Sequence, residues 1–230
     1  MPVHSGPQRQ HLIRLAIQSY LSQTYPRLEL IVIDDIHDPM PDSLLTSVPS
    51  YFYLAVDDLP VGTKRNLACS YARGQYIAHF DSDDLSHPDR VLRQFHLLSK
   101  SVPHSITGYH TIRFYDTVSR CAYLYHYHSN FCVGTSLFYR HSYWATHHFP
   151  DISIAEDIPY TAEHTPDRFC TDGSQLMVAL LHDHNISSRG QVHNHPGLFP
   201  PTDICRLPEF ARDLLHISPD SDKPLAKSAP

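Results

Sequence analysis

The sequence predicts an α/β fold: a mainly parallel sheet flanked by helices, with an antiparallel extension in the second half. Three observations lead there. Helical and strand periodicities alternate through the first hundred residues, the order that builds a parallel sheet with covering helices. Acidic residues recur where apolar runs end, at Asp34-Asp35, Asp57-Asp58 and Asp81 to Asp84. In an open α/β sheet that edge is where ligands bind. Beyond about residue 105 the pattern becomes aromatic-rich alternation, the period of half-buried antiparallel strands.

Each element has its own signal. Residues 11–24 place Leu12, Leu15, Ala16 and Ser19 on one face, with Ile13, Ile17 and Leu21 beside them, and Pro26 closes the helix. "LELIVID" (28–34) and "YFYLAV" (51–56) read as strands, the first buried on both faces. Residues 61–74 read as a helix with Gly74 just past its end. "QYIAHF" (75–80) is a third strand ending at Asp81. Ser86 is the expected N-cap of a helix over 88–99, with Pro88 in its first turn. Residues 105–116 and 120–129 read as a hairpin joined at Thr117 to Ser119. Residues 131–144 give a strand and a turn, 155–165 a short helix, and 176–187 an apolar run ending in His182.

The totals bound the function. Apolar residues make up 41% of the 230, enough for a core, and charged residues 18%. A net charge of −6 with no Lys/Arg block argues against a nucleic-acid partner. No stretch approaches a transmembrane segment, and no leader follows Met1. The five cysteines show no CxxC pair and read as reduced thiols. Together these features predict a soluble, cytoplasmic protein, with peripheral attachment to a membrane left open. The 19 histidines cluster at 125–129 and 146–150; surface decoration is the plain reading, metal chelation the rival. One domain over 1–216 is expected, with a disordered tail rich in Pro and Ser over 217–230.

"LSQTYPRLELIVIDD", "GTKRNLACSYARGQYIAHFDSDDLSHPDRV" and "VGTSLFYRHSYW…FPDISIAED" together resemble the inverting glycosyltransferases of family 2. The resemblance runs from Met1 to about Ser187. It implies a GT-A-like fold and transfer of a sugar from a nucleoside diphosphate sugar, UDP- or GDP-linked, to an acceptor hydroxyl. The acceptor class, whether glycan, lipid or small molecule, stays open. It also implies a divalent cofactor, Mn2+ or Mg2+. Four departures stand out. The family's first strand precedes the Met-Pro that opens this sequence, so that strand is apparently missing. The Asp-Asp-Gly-Ser turn is Asp34-Asp35-Ile36-His37 here. The Gly common before the Glu-Asp pair is Ala155. The Gln-x-x-Arg-Trp signature of processive synthases is absent, which predicts a non-processive, hexosyltransferase-like enzyme.

Asp81-Ser82-Asp83 is a DxD motif, and hard oxygen ligands suit Mg2+ or Mn2+. Strand alternation would send both aspartates to one side. By resemblance Asp83 is the direct metal ligand, Asp81 lies nearer the ribose or binds through water, and His182 is a further metal candidate, in competition with His184 and His193. Asp84 would orient the loop or cap the next turn. The rival reading has these acids cap the helix at 88–99. By resemblance Asp35 matches the family's base-binding position, where a carboxylate can accept from a ring N–H; a strand-end acid in solvent is the lesser alternative. Lys64, Arg65 and Asn66 open a helix at the same edge, where Arg65 can reach base or phosphate oxygens. By family analogy Asp157 is the catalytic base and Glu156 aids the acceptor; an N-cap acid pair is the alternative. Trp144 either floors the acceptor pocket or packs in the core. Two other functions compete. A non-catalytic or truncated nucleotide-binding descendant is supported by the missing strand. A nucleotidyltransferase would need a Gly-rich phosphate loop, and "MPVHSGPQRQ" is a poor one.

Overall fold

A computed structural model of the protein describes residues 1–4, 6–100, 104–126, 131–162, 168–185, 201–202 and 206–218. Helix α1 (Gln10–Leu21) lies between two halves of the core. Its Ile13, Ile17 and Tyr20 pack with Val32, Phe80, Val91 and Phe138. Its Leu12 packs with Leu85, Val178 and Leu180. Burying such side chains stabilises by roughly 1.5–3 kcal/mol each, so α1 joins the first and second halves of the chain. Strand β1 (Leu30–Asp35) is apolar on both faces and runs parallel to β2 (Tyr51–Val56), with Leu30 opposite Tyr51 and Asp35 opposite Val56. Helix α2 (Val61–Tyr71) stops short of the expected Gly74. The Glu29 carboxylate takes the N–H groups of both Arg73 and Gly74, which pulls the chain out of the helix.

The remaining strands form a second, mixed sheet. Strand β3 (Tyr76–Ala78) pairs antiparallel with β7 (Phe138–Arg140), and β4 (Asp84–Ser86) antiparallel with β9 (Met177–Leu181). The long β5 (Ile106–Asp116) is the spine. It forms the expected hairpin with β6 (Cys121–His126), meets β7 at its start, and runs parallel to β8 (Arg168–Asp172) and β9. The two-residue β10 (Pro201–Thr202) borders β6. Helices α3 (Arg90–Lys100), α4 (His141–Trp144), α5 (Asp157–Ala162) and α6 (Glu209–Leu214) complete the order. The expected parallel arrangement of the first hundred residues holds for β1 and β2 alone. Strands β3 and β4 are too short to stand by themselves and take partners from the second half.

Strands β1 and β3 do not pair with each other. Residues 1–3 run beside β1, where Val3 N–H donates to Ile33 O at 2.8 Å and Ile33 N–H to Met1 O at 3.1 Å. Between β1 and β3 lies a cavity of about 720 Å³, lined by Met1, Leu30, Ile31, Tyr76, Ala78 and Phe95 among others.

Two local expectations are corrected. Ser86 is not an N-cap: it belongs to β4, opposite Met177, and its Oγ accepts from the buried Arg90 guanidinium. Cys132 and Cys170 form a disulfide, so the reduced-thiol reading fails for that pair. Gly108 on β5 faces Cys170 in register, and the space a side chain there would need is filled by Cys132. Cys69 and Cys121 are free. No helix among the described residues is long and apolar enough to cross a membrane. Of the expected tail, only Ile217 and Ser218 are described, and Ile217 is buried beside Ala211. His193 and most of the 125–129 histidine cluster lie outside the described residues.

Candidate active site

A cleft of about 480 Å³ opens at the sheet rim. Its walls bring together Lys64, Arg65, Asp81, Asp83, Glu156 and Asp157, six of the residues singled out from sequence, from segments up to 93 positions apart. The larger cavity between β1 and β3 contains none of the four acids.

Arg65 is the hub. It is 6% exposed. Its Nε donates to Glu156 Oε1 at 2.9 Å, and its two terminal nitrogens hold both Asp81 oxygens, at 2.8 and 3.2 Å. Burial alone would raise the Asp81 pKa; the guanidinium outweighs it, and the carboxyl titrates below its ordinary value. The neighbouring His79 is held neutral by burial and by the same Arg65 charge. Its Nδ1 lies 3.0 Å from Gly134 O. Arg65, expected to reach base or phosphate, ties α2 to the chain after β3 and to the start of α5.

Asp83 has a different environment. Residues 81–83 form a turn beyond β3, so strand alternation does not govern them. Arg9 Nη2, His182 Nε2 and Asn185 Nδ2 converge on one carboxylate oxygen, Oδ2, at 2.8, 3.0 and 3.5 Å. Among the described residues, none engages the other oxygen, Oδ1. His182 Nδ1 accepts the N–H of His184, which assigns the ring proton to Nε2 and makes it a donor to Asp83. Both ring nitrogens are thus in use, and His182 stands behind Asp83 rather than open to the cleft. Asp84 is buried in β4, accepts from Leu180 N–H, and has its pKa raised well above the ordinary carboxylate value by burial and by Asp83 and Asp81.

Asp157 opens α5. Burial first, then the adjacent Glu156, pushes its pKa up to about 6, while Arg65 and the N–H groups of Asp157 and Gly134 restrain the rise. Gly134 is required here. A Cβ on it would lie 2.7 Å from Asp157 Oδ2 and 2.9 Å from its Cβ and Cγ. Ala155, two residues earlier, has φ of 58°. That left-handed conformation turns the chain so that Glu156 enters the interior and Asp157 the cleft, and it is one that glycine adopts without strain.

Other expected residues are not at the cleft. Asn66 accepts from Phe149 N–H and from the Trp144 indole, and donates to Phe149 O; it braces the 144–149 loop against α2, and Trp144 is spent on the same brace. Asp35 stands one step behind the wall, 3.8 Å from His4. Its neighbour Asp34 is fully buried, taking Met40 N–H and the Tyr53 hydroxyl. Asp57 is exposed and pairs with His37. Lys64 does line the cleft, but it is 2% exposed and donates to Val3 O. Arg9 and Gly134 were missed from sequence. No periodicity marks either, because each matters through a partner distant in the chain.

Residues 1–145 match the family model described as glycosyl transferase family 2. The chain belongs to glycosyltransferase family 2. Among curated relatives, an uncharacterized glycosyltransferase of Rickettsia typhi is 29% identical over 103 residues, 44% of this chain and 31% of that protein. The Escherichia coli UDP-Glc:alpha-D-GlcNAc-diphosphoundecaprenol beta-1,3-glucosyltransferase WfgD is 34% identical over 95 residues, 40% of this chain and 38% of that one. The chain therefore spans about a third of these relatives. Among solved structures, S. aureus TarS 1-349 in complex with UDP-GlcNAc superposes with a TM-score of 0.59 at 16% identity, over 80% of this chain and 58% of that one. The mannosyltransferase PcManGT of Pyrobaculum calidifontis, in complex with GDP-Man and Mn2+, gives 0.58 at 14% identity, over 82% and 56%. The GT-A-like fold expected from sequence is the fold observed.

Members of this fold commonly use a divalent metal. No group of three or more His, Cys, Asp or Glu among the described residues is placed to hold one unaided. Mg2+ and similar ions need only one or two carboxylates when phosphate oxygens and water supply the rest. Asp83 Oδ1, unengaged at the cleft, fits that lesser demand. Asp81, the other expected carboxylate, has an Arg65 hydrogen bond on each oxygen.

Proposed function

We propose that this chain carries the donor site and catalytic base of a metal-dependent, inverting, non-processive glycosyltransferase. Its donor is a UDP- or GDP-sugar and its acceptor a hydroxyl. The observation that carries the reading is the pairing of two differently prepared carboxylates in one cleft: Asp83, pinned through Oδ2 with Oδ1 uncommitted, and Asp157, with its pKa pushed up to about 6. WfgD and TarS 1-349 carry UDP-linked sugars in their printed descriptions and PcManGT carries GDP-Man, which supports a nucleotide sugar as donor without choosing between them.

The division of labour follows. Asp83 Oδ1 would hold Mn2+ or Mg2+, which supplies positive charge to the departing diphosphate. Asp157, ionised above about pH 6, takes the acceptor proton as the acceptor oxygen bonds to the anomeric carbon and the bond to the diphosphate breaks. Attack opposite the leaving group inverts that carbon. Glu156, held by Arg65, keeps Asp157 basic through its charge. Asp81, in Arg65's grip, shapes the wall on which the ribose would rest.

Asp83→Asn tests this. The variant should fold, lose turnover by about 100-fold or more on a panel of nucleotide sugars, and bind UDP or GDP no better with Mn2+ than without. Normal turnover in that variant would remove the metal role. A wild-type chain that binds neither nucleotide in calorimetry would favour a non-catalytic protein.

A further inference from the structure

Three Lys or Arg side chains line the cleft among the described residues: Arg9, Lys64 and Arg65. A nucleoside diphosphate is an anion entering a cleft that already holds Asp81, Asp83, Glu156 and Asp157, so protein cations with donors to give decide whether it is tolerated. Lys64 is spent on the Val3 carbonyl, and burial lowers its pKa. Arg65 is spent on Glu156 and on both oxygens of Asp81.

Arg9 is different. It is 8% exposed. One strong contact holds it, Nη2 to Asp83 Oδ2 at 2.8 Å; its others, to Ser82 Oγ and the His184 carbonyl, are long at 3.4 and 3.3 Å. Its Nε is buried with no hydrogen-bond partner. A buried N–H of a charged group left unpaired calls for an explanation, because such groups are normally satisfied. A guanidinium presents parallel donors matched to phosphate oxygens, and Nε is one arm of that fork.

We propose that Arg9 is a diphosphate-binding residue of this cleft, resting on Asp83 while no anion is present. The inference rests on the donor reading above. Any phosphate oxygen close enough to share an ion with Asp83 lies beside Arg9, since the two side chains touch. Arg9 then completes its open Nε and exchanges weak contacts for charged ones. The placement of Arg9 just before α1, far in sequence from the DxD motif, is why it escaped the sequence reading.

Calorimetry on the full chain with inorganic pyrophosphate, UDP, GDP and uridine, each with Mn2+ and with EDTA, tests it in wild type, Arg9→Gln and Arg9→Lys. Arg9→Gln should weaken pyrophosphate and UDP by about tenfold or more and leave uridine unchanged. Arg9→Lys, which keeps the charge and loses the fork, should fall between. Circular dichroism and a thermal melt establish folding; should the Gln variant not fold, the Lys variant decides by the same contrast. Equal binding of pyrophosphate by wild type and variants overturns the inference, as does a parallel loss of UDP and uridine. A wild type that binds pyrophosphate through Arg9 but neither UDP nor GDP refutes the donor reading and leaves Arg9 an anion site. A wild type that binds UDP undiminished in the variants keeps the donor reading and refutes Arg9. Binding of none of the probes refutes both.

Discussion

Replacing Asp157 by Asn should stabilise the protein while silencing it. In the folded chain burial, and then Glu156, raise the Asp157 pKa from 3.8 to about 6. At about 1.4 kcal/mol per pH unit that gap corresponds to about 3 kcal/mol. The side chain is partly open to the cleft, so solvent screening brings the working figure to about 2 kcal/mol. A carboxyl with a raised folded pKa binds its proton more tightly folded than unfolded. Its contribution is therefore most favourable below about pH 3.8 and is lost as pH climbs from there through about 6. Asn has nearly the same shape and no charge. The Asp157→Asn variant should be more stable than wild type by about 2 kcal/mol at about pH 7.5, and the advantage should close as pH falls toward about 4. Urea unfolding at several pH values reads this directly. Turnover in the same variant should drop by about 100-fold or more, and wild-type turnover should fall with acid through about pH 6. A variant no more stable than wild type at neutral pH, or an advantage that persists unchanged in acid, would refute the claim that burial and Glu156 prepare this base.

Two further substitutions probe how Asp157 is held. Gly134→Ala puts a methyl group 2.7 Å from Asp157 Oδ2, so the carboxylate must shift by roughly half an ångström or more; turnover at saturating donor should fall by about 10- to 100-fold, while pyrophosphate binding, measured by calorimetry, stays as in wild type. Ala155→Gly removes the strain of φ 58°, worth about 1–2 kcal/mol, against an added unfolded-state entropy of about 0.4–1 kcal/mol. Scanning calorimetry should show a rise of a degree or two in Tm, about 0.5 kcal/mol, with turnover unchanged.

The elements legible in the sequence were those whose signal is local. The apolar stripe of α1, the doubly buried β1 and the hairpin of β5 and β6 all declare themselves within a dozen residues. Pairing is not local. Strands β3 and β4 have three residues each, and their partners begin 62 and 93 positions after them, so nothing in "YIA" or "DLS" could say antiparallel. Ser86 has the chemistry of a cap and uses it on Arg90 from within a strand. The disulfide joins elements 38 positions apart, with the clue, Gly108, on a third. The site shows the same division. The acids were visible because carboxylates crowd at strand ends. Which acid is committed and which is open was not, because that depends on where Arg9 and Arg65 fall in space.

That division bears on how the cleft keeps its shape. With β1 and β3 unpaired across a cavity, sheet hydrogen bonds do not hold the donor edge together. Guanidinium groups span it instead. Arg65 links α2, the segment after β3 and the start of α5. Arg90 links α3 to His79 O and to Ser86 in β4. Arg9 links the start of α1 to residues 82–83 and to His184. A buried charge pair broken on one side costs several kcal/mol because the survivor is left uncompensated, so such ties fix geometry firmly. They also consume the acids they touch. Arg65 holds both oxygens of Asp81 and one of Glu156, so these two acids are tied into the framework. Asp83 keeps one oxygen uncommitted, and Asp157 feels the Arg65 charge without a direct contact to it, with the N–H groups of Asp157 and Gly134 adding less. The two carboxylates proposed for chemistry are those that Arg65 does not hold directly, and that is why the reaction is placed on them rather than on Asp81 or Glu156.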